Sequence, residues 1–94
     1  VMEYNLPGLE EKVKRMSEAM QFTDHSVDGF KNNLNQMLDR LKIPNGLNEI
    51  GVPEDCYERI AKKSMLDQAY GQNPKKATLD EVKELTLKSI KKAR

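Results

Sequence analysis

The chain has 94 residues, 33% charged and 37% hydrophobic, and its 16 Lys and Arg against 15 Asp and Glu leave a net charge of +1. That balance excludes an electrostatic drive toward nucleic acid, and the length is that of one small domain. No apolar run approaches the roughly 18 residues of a membrane span, and none reads as a leader with a basic start. The lone Cys56 excludes an internal disulfide, and a free thiol suits a reducing compartment.

Val1-Met2-Glu3-Tyr4-Asn5 reads as the end of an apolar element. Pro7 suits a first helical turn, where its missing N–H costs nothing. Leu9, Val13, Met16 and Met20 then follow at offsets of four, three and four, so the spacing predicts a helix over 7–20. Ser26 is an N-cap for a second helix with Val27, Phe30, Leu34, Met37, Leu38 and Leu41 on its apolar face. Gly29 weakens its first turn by about 1 kcal/mol relative to Ala. The run ends at Ile43-Pro44-Asn45-Gly46, because the residue before proline leaves the helical region and Asn-Gly favours a turn.

Leu47 and Ile50 read as two buried anchors in a short turn closed by Gly51. Pro53 with Glu54 and Asp55 starts a third helix, with Tyr57, Ile60, Ala61, Ser64 and Met65 facing inward and an end at Asp67 or Gln68. Tyr70-Gly71-Gln72-Asn73-Pro74 breaks it. Thr78 with Glu81 forms a capping box, and Leu79, Val82, Leu85, Leu87 and Ile90 supply the face of the last helix. Nothing alternates with period two, so the fold class is all-α with about four main helices.

Few residues carry chemistry on their own account. His25 is the one histidine, and with Asp24 and Asp28 it falls short of the three or four convergent ligands of a transition-metal site. It reads as a surface histidine. Cys56 lies in a first helical turn, where a thiolate is favoured, but a nucleophile needs a neighbouring base; it reads as structural. The lysines at 83, 88, 91 and 92 are interspersed with Asp80, Glu81 and Glu84 and lack an aromatic platform for bases, which makes them a solvated face. The methionines fill gaps on apolar stripes. No glycine-rich phosphate loop or zinc-ligand spacing is present, so no catalytic, cofactor-binding or metal-binding residue is expected.

The order Val1–Asn5, Leu41-Lys42-Ile43-Pro44, Leu47-Asn48-Glu49-Ile50-Gly51-Val52, a helix from Glu54 to Asp67, Asn73-Pro74-Lys75 and an opening Thr78 resembles the C-terminal end of the iron-containing (group III) alcohol dehydrogenases. Each motif is modest, but together they span the whole chain in matching order. Lys75 departs from the family's usual Arg, keeping the charge without the planar fork. A lysine there cannot make the bidentate contact of an arginine.

The resemblance implies that residues 1–94 are the C-terminal part of a helical domain of the dehydroquinate synthase-like type. The N-terminal NAD(P)-binding domain and the metal ligands, an Asp and three His, would then lie upstream of Val1. In such a parent the metal, iron or zinc, polarises the alcohol oxygen and hydride passes to the nicotinamide. This segment would act as cytoplasmic scaffold and be inactive alone. The loop from Ala69 to Asn73 is the part that approaches the substrate end of the cleft in such enzymes, with Ala69 and Tyr70 as candidate pocket lining. The expected partners are the remainder of the parent enzyme and a second copy of the chain, with no nucleic acid and no membrane. The rival reading is a stand-alone helical module that buries an apolar groove against a partner helix.

Overall fold

In a computed structural model describing residues 1–94, the chain is all-helical without a strand. It divides into two compact units, Val1–Ile43 and Pro44–Arg94.

The first unit holds α1 (Met2–Asn5), α2 (Glu10–Ala19) and α3 (Val27–Arg40). Its core joins Leu6, Val13 and Phe30, with Met2, Phe22, Val27 and Leu34 packed around them. The rings of Phe22 and Phe30 lie 6.1 Å apart at 58°, a tilted aromatic pair. Burying a Val or Phe side chain stabilises by about 1.5–3 kcal/mol, so this small cluster dominates the unit. Lys31 Nζ ties α3 to α1 at 3.8 Å from Glu3 Oε1.

The expected helix over 7–20 begins later, at Glu10. Gly8 sits at φ +89°, which makes Pro7-Gly8 a turn ahead of the helix and leaves Leu9 as an N-cap without a capping side chain. The stripe is also narrower than its spacing suggests. Val13 is fully buried, whereas Met16 and Met20 are exposed. Ser17, on the same helix, is completely buried and its hydroxyl has no hydrogen-bond partner.

Ser26 caps α3 as expected: its Oγ accepts from Gly29 N at 3.0 Å. Gly29 has a local reason to be glycine, because a Cβ there would collide with the Asp24 carboxyl. Asp24 Oδ1 in turn accepts from Ser26 N at 2.9 Å. The Ser26 hydroxyl and then its backbone N–H, with a smaller contribution from His25, hold the Asp24 carboxyl below the ordinary 3.8.

Both α2 and α3 end in the same way. Phe22 N donates to Ser17 O and Gln21 N to Glu18 O; Ile43 N donates to Leu38 O and Lys42 N to Asp39 O. Each is a Schellman closure, which places one residue in the left-handed region. Here those residues are Gln21 (φ 60°) and Lys42 (φ 57°), neither of them glycine.

The second unit opens with a 3-10 turn at Leu47–Ile50, closed by Gly51 at φ 91°. Leu47 and Ile50 are not the buried anchors expected: they are 39% and 64% exposed. The turn closes through its backbone, with Gly51 N donating to Asn48 O and Val52 N to Leu47 O, and needs no buried side chain. A 3-10 turn at Glu54–Cys56 then feeds α4 (Tyr57–Ser64). Asp67 adopts an extended conformation, and its side chain caps a further 3-10 turn at Gln68–Gln72, so α4 stops short of the expected Asp67 or Gln68. The last helix, α5 (Leu79–Lys91), packs on α4. Ala61, Ala77 and Ile90 are the buried apolar residues of this unit. Lys83 Nζ lies 3.8 Å from Glu58 Oε1 and Lys91 Nζ 3.3 Å from Glu54 Oε1, so two of the α5 lysines face carboxylates.

Candidate functional site

The connection from α4 to α5 is held by its own short-range hydrogen bonds. Asp67 Oδ1 accepts from Ala69 N at 2.8 Å, and Tyr70 N donates to Asp67 O at 3.1 Å. These bonds fix Ala69 on the exposed side of the turn and leave Tyr70 half-buried. The Tyr70 hydroxyl donates to the carbonyl of Ala77, itself a buried residue. Asn73 Nδ2 donates to Lys75 O at 2.5 Å, across Pro74. The next residue after Ala77 is the N-cap Thr78, so Tyr70 anchors the entry of α5. The two candidate pocket residues thus sit side by side, one exposed and one with its polar end committed to the loop.

Asp67 and Ala77 were not legible as parts of this loop. Asp67 carried a weak signal, since an aspartate two residues before a backbone N–H is a common local acceptor. The carbonyl of Ala77 carries none.

The other chemistry-bearing side chains are engaged locally. His25 is exposed; its Nε2 donates to Phe22 O at 2.9 Å, and Nδ1 stands 3.9 Å from Glu18 Oε1. Cys56 is half-buried, and Arg59 Nη2 approaches its Sγ at 3.5 Å. No three His, Cys, Asp or Glu side chains converge to hold a metal ion, so the donor set of this chain does not fit a catalytic metal. No helix is long and apolar enough to cross a membrane.

The family model for the C-terminal part of the Fe-containing alcohol dehydrogenase family matches residues 1–90. Two relatives are similar in sequence. A 4-hydroxybutyrate dehydrogenase of Cupriavidus necator is 25% identical over 86% of this chain and 21% of its own length. A choline dehydrogenase of Bacillus subtilis strain 168 is 32% identical over 80% of this chain and 20% of its own. The chain therefore spans about a fifth of the length of these relatives. No solved structure matches it. With the match running through nearly the whole all-helical chain, the protein belongs to the Fe-containing alcohol dehydrogenase family, as its C-terminal helical part.

Proposed function

We propose that this chain is the C-terminal scaffold of a cytoplasmic, metal-dependent NAD(P) alcohol dehydrogenase that interconverts an alcohol with an aldehyde or ketone by hydride transfer. The observation that carries this reading is the family match over residues 1–90. The iron or zinc and the nicotinamide cofactor belong to the rest of the polypeptide, and no step of the reaction is assigned to a group on this chain.

What the segment contributes is packing. Leu47, Ile50 and Leu66 are 39%, 64% and 86% exposed, and such residues gain stability when a neighbouring element covers them. The remainder of the parent enzyme is the expected cover, with self-association the alternative when it is absent. Ala69 and Tyr70 are proposed as pocket lining through the exposed face of their turn, the Tyr70 hydroxyl being engaged with Ala77.

The test uses the full-length protein that carries this segment, assayed for NAD- or NADP-linked oxidation of short alcohols. Ile50→Asp should lower its melting temperature while the folded fraction keeps its KM, the signature of a packing role. Absence of any nicotinamide-linked alcohol oxidation by the full-length protein would overturn the reading.

A further inference from the structure

Where the chain passes the end of α5, several hydrogen bonds converge on one residue. Asn45 is bound on three sides there. Its backbone N–H donates to Glu49 Oε2 at 2.7 Å, its carbonyl accepts from Ala93 N at 2.5 Å, and its side-chain Oδ1 accepts from Arg94 N at 2.7 Å. The Arg94 guanidinium reaches Pro44 O at 3.5 Å. Gly46 is buried because the last carbonyls of α5 crowd it: a Cβ would stand 2.6 Å from Ile90 O and 2.7 Å from Lys91 O. Packing therefore demands glycine at 46.

That requirement creates a chemical liability. Once the chain opens here and the α5 carbonyls move off, no Cβ on the following residue shields the backbone nitrogen of Gly46 from the side-chain amide of Asn45. We infer that Asn45-Gly46 is a self-modification site, a deamidation switch kept closed by the docking of Ala93 and Arg94. The Gly46 nitrogen, losing its proton to solvent base, attacks Asn45 Cγ. A C–N bond forms, the bond from Cγ to the side-chain nitrogen breaks, and that nitrogen leaves as ammonia carrying the displaced proton. Water then opens the resulting five-membered imide at either carbonyl, giving aspartate or isoaspartate.

The docked geometry opposes this step in two ways. The bond from Arg94 N holds the Asn45 amide oxygen at 2.7 Å, so the side chain does not turn freely while it is made. The bond from Ala93 N fixes the main chain of Asn45 itself. Reaction accordingly requires local opening of residues 93–94, and its rate reports the population of that open form. The product does not simply re-dock. Aspartate sets a second carboxylate beside Glu49, whose side chain binds the same residue. Isoaspartate lengthens the main chain by one carbon and moves the carbonyl that Ala93 used. The change is a one-way record of opening.

The experiment incubates the intact protein at mildly alkaline pH and follows the amide-to-acid mass change and isoaspartate at position 45 by peptide mapping. Wild type in native buffer is compared with wild type in urea, Arg94→Pro and Arg94→Ala. Arg94→Pro removes the N–H that pins Oδ1 and lies beyond the end of α5 at Lys91, so helicity persists. Arg94→Ala keeps that N–H. One hydrogen bond of ordinary net strength changes a local opening equilibrium by about fivefold. Arg94→Pro, whose ring also crowds Oδ1, should therefore deamidate at least about fivefold faster than wild type. Arg94→Ala, which loses only the long contact to Pro44 O, should deamidate clearly more slowly than Arg94→Pro, and the urea-unfolded chain fastest of all. Equal rates for native wild type and Arg94→Pro would overturn the inference, as would a urea-unfolded chain that leaves Asn45 intact.

Discussion

Thr78 and Glu81 bind each other reciprocally at the start of α5: Glu81 N donates to Thr78 Oγ1 at 3.2 Å, and Thr78 N donates to Glu81 Oε1 at 3.1 Å. Two backbone donors that the helix itself cannot satisfy are thereby paired. Thr78→Ala removes one acceptor and should destabilise the chain by about 1 kcal/mol in denaturant unfolding. An unchanged transition midpoint would mean that the box contributes nothing in solution.

Lys42 occupies the left-handed position of the α3 closure at φ 57°, where a side chain costs about 1 kcal/mol relative to glycine. Lys42→Gly should raise stability by roughly that amount, less the added flexibility of the unfolded chain. Urea denaturation of the two proteins side by side reads the difference. A clear loss of stability would show that the closure does not persist.

Ser17 offers a contrast, because its hydroxyl is buried without a partner. An unsatisfied buried hydroxyl costs about 1–3 kcal/mol. Ser17→Ala removes it with little change of volume and should leave thermal stability equal to wild type or higher. A drop in the melting temperature would reveal a hidden partner for the hydroxyl.

Asp24, in the loop between α2 and α3, has its carboxyl pKa lowered by its hydrogen bonds. Its folded pKa is depressed below 3.8, first by the Ser26 hydroxyl and then by the Ser26 backbone N–H. A depressed carboxyl stabilises the fold above its unfolded pKa, and that stability is lost as pH falls through the folded value. Proton titration followed by NMR should place the Asp24 midpoint below 3.8, and Ser26→Ala should move it upward. A midpoint unmoved by Ser26→Ala would assign the depression to another group.

The parts of the fold visible in the sequence are those written in side-chain chemistry close to home. Ser26 and Thr78 announce their helices because each cap acts within three residues, and the apolar spacing from Val27 onward describes α3 along its whole length. The parts that stayed hidden depend on the backbone or on distance. Pro7 is compatible with both a turn and a first helical position, and only the left-handed Gly8 decides between them. Gln21 and Lys42 take left-handed positions that a reader expects of glycine. Leu47 and Ile50 have the composition of buried anchors, yet in this chain alone their exposure is set by what does or does not lie over them. Around Ala69 and Tyr70 the break in the helix was legible, while the bond from Tyr70 to Ala77 was not, because its acceptor is a main-chain carbonyl with no residue-type signature.

The central claim is that this segment supplies packing and no ligand to the metal or the cofactor. Calorimetric titration of the 94-residue chain with zinc or ferrous ion, and separately with NAD or NADP, tests it most directly. One exposed histidine and no converging acidic, thiol or imidazole cluster predict no saturable, stoichiometric complex with either. A one-to-one metal or nicotinamide complex would contradict the account.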